Sequence, residues 1–179
     1  MRLFTAIDIA AEVRENLREL IDRLRPLAKV RWSPVDNLHI TTKFIGEWPE
    51  KRLDEMKRAL DAVRFSEMDI EIRGIGWFPN ARRPRVFWTG VEGGDALRNL
   101  AKATEQATAT VGVPVEERAY SPHLTLARLP DPVPMDGLRA EAAKLETKSF
   151  GSFQASAFYL YLSAGGKYTK LAEFAATEK

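Results

Sequence analysis

Both histidines of this 179-residue chain, His39 and His123, are followed two positions later by a threonine, in HIT and HLT. Each sits in a run rich in β-branched and apolar residues, LHITTKFI and PHLTLARL, that reads as a strand. Side chains of a strand alternate between its two faces. His39 and Thr41 therefore share one face, and His123 and Thr125 share another, with Ile40, Leu124 and Leu126 turned into an apolar layer. Imidazole is the side chain that titrates nearest neutrality, so a pair of them supplies one general base and one general acid. Threonine hydroxyls donate hydrogen bonds to anionic oxygens. The set suits in-line displacement at phosphorus: one histidine takes the attacker's proton, the other protonates the leaving oxygen, and the hydroxyls hold the phosphoryl oxygens. A lone His-x-Thr is usually a satisfied strand histidine beside a surface threonine; the matched pair in matched surroundings favours chemistry.

Other chemistries lose their parts. The chain has no cysteine, hence no thiol nucleophile, disulfide or cysteine-held metal. Two histidines cannot form an all-histidine metal site, and no EF-hand loop is present. No GxSxG elbow supports serine acyl transfer, and no P-loop or GxGxxG supports nucleotide-driven chemistry. A carboxylate-rich magnesium or calcium site stays open on composition, but the displacement scheme requires no metal, and we expect no cofactor. With 27 basic and 25 acidic residues the net charge is +2, which permits a nucleic-acid partner without demanding one. Apolar residues at 45% and charged residues at 29% fit an ordinary globular chain. No apolar run reaches membrane-spanning length. The N-terminal apolar stretch is broken by Asp8 and followed by Glu12, a poor signal peptide, so the expected location is the cytoplasm.

The histidine strands need a scaffold. Residues 2–9 read as a buried strand, and Val13, Leu17, Leu20, Ile21 and Leu24 recur at helical spacing up to Pro26. Pro49 opens a second helical stripe of Leu53, Met56, Leu60 and Val63. Strands follow near 68–78 and 85–91. A helix through Ala96, Leu97, Leu100, Ala101, Thr104, Ala107 and Val111 stops at Gly112. After the strand at 122–129 come a short helix with Leu138, Ala142 and Leu145 and strands near 152–163 and 168–175. Each half reads strand, helix, strand, helix, strand, with LHITTKF and PHLTLAR at the centres, the signature of a diverged duplication.

On these residues the chain resembles the two-histidine phosphoesterase superfamily, and more narrowly the RNA 2′,3′-cyclic phosphodiesterases historically called 2′–5′ RNA ligases. RLFTAIDI resembles that family's opening strand, RWSPVDNLHITTKFIGE and SPHLTLARL its two motif blocks, and FYLYLSAGGKYTKLAEF its closing strand pair. The resemblance implies an α+β, bilobal fold, a pseudo-twofold duplication whose two antiparallel sheets face a central cleft, with helices outside and residues 1–179 forming one two-lobed domain. It implies metal-free hydrolysis of RNA 2′,3′-cyclic phosphate ends, among them tRNA halves, to 2′-phosphates, with weak 2′–5′ ligation. By the same resemblance His39 is the proton donor, His123 the proton acceptor, Thr41, Thr125 and Arg128 bind the phosphate, and Phe44 stacks on the terminal base. We expect a monomer with no obligate protein partner and no membrane association.

Strict alternation raises an objection to two of these. Arg128 and Phe44 each lie five residues past their histidine, on the opposite face unless the strand twists or ends. Alternation also places Lys43 on the His39 face, and turns Thr42, where the family carries an apolar residue, away from the cleft. Arg82, Arg83 and Arg85, with Trp77 and Phe78, make a basic-aromatic loop that either follows an RNA backbone at the cleft mouth or is a solvated loop with tucked aromatics. SAGGKYTK reads as a hairpin turn, and Asp36 and Asn37 as turn residues. Three other functions stay open: a phosphodiesterase of 2′–5′ oligoadenylate or cyclic nucleotide phosphates, a non-catalytic RNA-end binding module, and physiological ligation.

Overall fold

The computed structural model describes residues 1–177. In chain order its elements are β1 (Arg2–Asp8), α1 (Ala11–Leu24), β2 (Arg31–Trp32), β3 (His39–Glu47), α2 (Leu53–Asp61), β4 (Met68–Phe78), β5 (Val86–Glu92), α3 (Gly94–Ala109), β6 (His123–Arg128), α4 (Asp136–Ala143), β7 (Ser149–Ala155), β8 (Ala157–Ala164) and β9 (Lys167–Ala175). The architecture is α+β. One antiparallel sheet has the order β3-β1-β8-β9 and the other β2-β6-β5-β4-β7. Among the described residues, no helix is long and apolar enough to cross a membrane.

The two sheets are built alike. In each, the histidine strand pairs with the strand that opens its half of the chain: β3 with β1, and β6 with β5. The next position is taken by a strand from the other half. β8 pairs with β1, and β4 pairs with β5. Each half therefore completes the sheet of its counterpart.

One face of each sheet carries the core. Ile40, Leu124 and Leu126 are buried there, as alternation predicts, in a single continuous cluster with the helix stripes. In α1, Val13, Leu17, Leu20, Ile21 and Leu24 are all buried, each contributing roughly 1.5–3 kcal/mol relative to exposure. Ala10 at its N-terminus offers no side-chain cap, so packing rather than capping holds this helix. The opposite face of the first sheet carries a separate small cluster of Phe4, Ala6 and Tyr161.

Two elements depart from expectation. The strand read near 152–163 is two strands, β7 and β8, in different sheets, with the chain crossing at the exposed Ser156. The buried positions change phase there, from Ala155 to Phe158 and Leu160. The strand β2 went unread because two residues carry no periodicity. The SAGGKYTK turn closes the β8–β9 hairpin through Gly165 and Gly166, at φ of 58° and 78°, a region glycine enters without a Cβ penalty.

Candidate active site

The register of the two histidine strands defines the site. Against β1, His39 pairs with Asp8, Thr41 with Ala6 and Phe44 with Phe4. Against β5, His123 pairs with Gly90, Thr125 with Trp88 and Arg128 with Val86. The partners step by two, so they share a face. The histidine strands step by two and then by three, because each carries a bulge, between Thr5/Ala6 in one ladder and Phe87/Trp88 in the other. An extra residue in one strand resets its alternation. Thr42 and Lys43 are both buried behind the first sheet, and Leu126 and Ala127 behind the second. Phe44 and Arg128 thereby return to the faces of His39 and His123, removing the alternation objection to both.

The same bulge overturns the expectation for Lys43. It lies on the far face from His39, where Nζ donates to Glu105 Oε2 and to the Pro114 carbonyl, both at 3.1 Å. Thr42 does turn from the cleft, and its hydroxyl meets that of Thr5 at 2.6 Å in the interior. The polar replacement of an apolar motif position is thus satisfied by a second threonine.

Both imidazoles are held in the same way. His39 Nδ1 is 2.6 Å from the Asn37 carbonyl, and His123 Nδ1 is 2.9 Å from the Ser121 carbonyl. A carbonyl only accepts, so Nδ1 carries the hydrogen in each ring and Nε2 is the nitrogen left able to take up a proton. Asn37 is anchored in turn, its amide donating to the Gly166 carbonyl at 3.0 Å. Thr41 Oγ1 lies 2.9 Å from His39 Nε2. A hydroxyl there donates to the neutral ring and accepts from the protonated one.

The surroundings of the two rings differ. His39 stacks on Phe4 at 4.9 Å between centroids and meets Tyr168 edge-on at 5.2 Å. Burial pushes its imidazole below the ordinary histidine value; the Asn37 carbonyl and the Asp8 carboxylate pull upward, while Arg128 and His123 add to the lowering. The contributions of His123 and Arg128 place His39 within their electrostatic reach, across strands of the two sheets. Asp8 is held by the Tyr161 hydroxyl and by Lys170. At the equivalent position beside His123 stands Gly90.

His123 meets the edge of Phe78 at 4.9 Å, and Phe78 packs on Trp88 at 5.0 Å. The Trp88 indole lies over Gly76, where a Cβ would come within 2.1 Å of the ring. Of the basic-aromatic loop, Phe78 reaches the histidine, while Trp77 packs on Phe87 at 4.5 Å. Arg82 and Arg83 are exposed, their backbone amides capped by Asn80 Oδ1 at 3.0 and 2.9 Å. Arg85 Nη1 donates to the Pro130 carbonyl at 3.1 Å. Among the described residues, no cluster of three or more histidine, aspartate or glutamate side chains could hold a metal ion.

Sequence reasoning passed over Phe4, Asp8, Tyr120 and Tyr161. Phe4, Ala6 and Asp8 alternate along β1 on the His39 face, a signal present in RLFTAID but absorbed into a buried-strand reading. The Tyr120 hydroxyl donates to the Thr41 carbonyl at 2.8 Å, tying the approach to β6 onto the middle of β3; no local pattern announces that contact.

A family profile described as LigT like Phosphoesterase matches residues 7–88 and 91–167. The chain is 32% identical over 162 residues to an RNA 2′,3′-cyclic phosphodiesterase of Archaeoglobus fulgidus, covering 89% of each chain. It is 33% identical over 181 residues to one of Methanothermobacter thermautotrophicus, covering 97% of this chain and 98% of the relative. Among solved structures, TT0787 of Thermus thermophilus superposes over the whole of both chains with a TM-score of 0.81 at 30% identity. E. coli LigT complexed with 3′-AMP superposes over 99% of this chain and 98% of that one, with a TM-score of 0.78 at 27% identity.

Proposed function

The chain belongs to the LigT-like phosphoesterase family, and on that premise we propose that it hydrolyses RNA 2′,3′-cyclic phosphate ends to 2′-phosphates with His39 as general acid and His123 as general base. It is a hydrolase of the cyclic phosphodiester bond. The observation that carries the use of both histidines is their common posture, each fixed through Nδ1 with Nε2 left for proton transfer.

In this reading His123 Nε2 takes a proton from water, whose oxygen bonds to phosphorus in line with the 3′-oxygen. The P–O3′ bond breaks, and protonated His39 delivers its Nε2 proton to O3′, leaving a 3′-hydroxyl and a 2′-phosphate. Thr41 and Thr125 donate to the non-bridging oxygens, and Arg128 neutralises their charge. Phe44, 66% exposed, offers a free ring for the terminal base. Asp8 supports the acid role of His39 by favouring its charged form against the lowering imposed by burial, and His123 has glycine in the equivalent place. With a 5′-hydroxyl in place of water, the same step joins two RNA ends through a 2′–5′ bond; water's concentration favours hydrolysis. We read residues 1–179 as one two-lobed catalytic domain, which the exchanged strands support.

The test is incubation of the purified protein, in EDTA, with a short RNA ending in a 2′,3′-cyclic phosphate. A phosphatase-sensitive end is expected, identified as a 2′-phosphate by chromatography against 2′- and 3′-phosphate standards. A 3′-phosphate product would reverse the regiochemistry, and no turnover would refute the substrate.

A further inference from the structure

Outside the histidine cleft, a cavity of about 580 Å³ opens at the β2 edge of the second sheet, lined among others by Arg25, Lys29, Arg31, Trp32, Pro130 and Asp131. Three of these side chains are cations and one is an anion. Arg31 stands directly opposite Arg128 in the β2–β6 ladder. Opposed residues leave a sheet on the same face, and like charges so placed repel. Arg85 adds a further cation through its hydrogen bond to the Pro130 carbonyl.

Four arginines elsewhere are paired with a carboxylate. Arg18 meets Glu15, Arg52 meets Glu55, Arg73 meets Glu71 and Arg98 meets Asp95. Among the described residues, none of Arg25, Lys29, Arg31 and Arg128 enters a salt bridge. A run of unpaired cations from the proposed phosphate ligand Arg128 into a cavity is unfavourable by itself and becomes favourable with a polyanion laid along it. A ribonucleotide chain repeats one phosphate per residue and has the required form.

We infer that the Arg25–Lys29–Arg31 cavity binds backbone phosphates of the nucleotides 5′ to the reacting end. The preferred substrate is then an RNA oligonucleotide and not a cyclic mononucleotide. This inference rests on the proposed function and extends it from the bond cleaved to the length of chain recognised.

The experiment compares kcat/KM for an RNA octamer ending in a 2′,3′-cyclic phosphate with that for 2′,3′-cyclic CMP, at several potassium chloride concentrations. Wild type should favour the octamer, by a ratio that shrinks as salt rises. Arg25→Ser, Lys29→Ser and Arg31→Ser combined should lower that ratio roughly tenfold or more, and flatten the octamer's log–log salt dependence by about 2, at about 0.7 per phosphate contact on a single strand. Arg25→Lys with Arg31→Lys should keep most of both. A ratio unchanged in the triple variant overturns the inference, as does an equal fall for both substrates. If wild type turns over neither substrate, the proposed function fails, and anisotropy with an octamer ending in a 3′-hydroxyl judges the cavity separately. Loss of salt-sensitive binding in the triple variant sustains it, and equal binding refutes it.

Discussion

Phe44 and Arg128 hold the same station in two different strands: each lies five residues past a histidine, and each is turned onto that histidine's face by one extra residue in its strand. One backbone device, used twice, brings a flat apolar ring to one wall of the cleft and a guanidinium to the other. The two substitutions should therefore separate kinetically. Phe44→Ala should raise KM roughly tenfold with little change in kcat, since stacking on a base is worth about 1–3 kcal/mol and acts in ground and transition states alike. Arg128→Ala should lower kcat as well, because charge on the phosphoryl oxygens grows toward the transition state. Steady-state kinetics on one cyclic-phosphate RNA decides this; equal effects of the two variants on kcat would contradict it.

Removing either imidazole should slow turnover by roughly 10²–10⁴-fold, the usual worth of a general acid or base. His39→Ala with His123→Ala should fall well short of the product of the two losses, because acid and base act as a unit. Single-turnover rates measure both. A loss below tenfold in each single variant would remove the histidines from the mechanism.

His39 should titrate below the ordinary histidine value of about 6.5 in the free protein. Bound inorganic phosphate should raise it, since an anion favours the imidazolium. With His39 as the acid, activity is present below its pKa and is lost as pH rises through it. Asp8→Asn withdraws an upward pull, so the alkaline limb of kcat/KM should move to lower pH; Arg128→Gln withdraws a downward one and should move it up. Ring titration by NMR, beside the pH–rate profile, tests the sign. If Asp8→Asn moves the acid limb instead, the two histidines exchange roles.

Lys43→Met should cost stability. It leaves Glu105 without its cation at a site where the lysine is 7% exposed, and breaking a buried pair costs about 3–5 kcal/mol. Urea unfolding measures the loss. Lys43→Met with Glu105→Leu should regain much of it, which a role for Lys43 in phosphate binding would not give.

EDTA should leave turnover unchanged, as every proton and charge in the proposed step is handled by side chains. Activity abolished by EDTA and restored by a divalent cation would require a different mechanism.

The faces of His39, Thr41, His123 and Thr125 were legible because period two governs the start of each strand, where the backbone is regular. The faces of Lys43, Phe44 and Arg128 were not, because the bulges carry no glycine or other residue to mark them; only the partner strand's register reveals them. Asp8 and Phe4 escaped for a different reason. A strand covered on both sides looks the same whether its second face meets a helix or lines a cleft. The break between β7 and β8 was written in the phase of Ala155, Phe158 and Leu160, but nothing local says that the chain changes sheets there. Arg25, Lys29 and Arg31 lie within seven residues of each other, but their approach to Arg128 appears only when β2 reaches β6.

The exchange of β4 and β8 between the sheets also bears on how such a molecule could arise. A single half, standing alone, could assemble these sheets only as two copies lending each other their third strands. Such a pair would be truly twofold, with indistinguishable imidazoles and no way to assign one as donor. Joining the copies into one polypeptide is what permits Asp8 beside one ring and Gly90 beside the other. The proposed division of labour between His39 and His123 is, on this view, a privilege of covalent fusion.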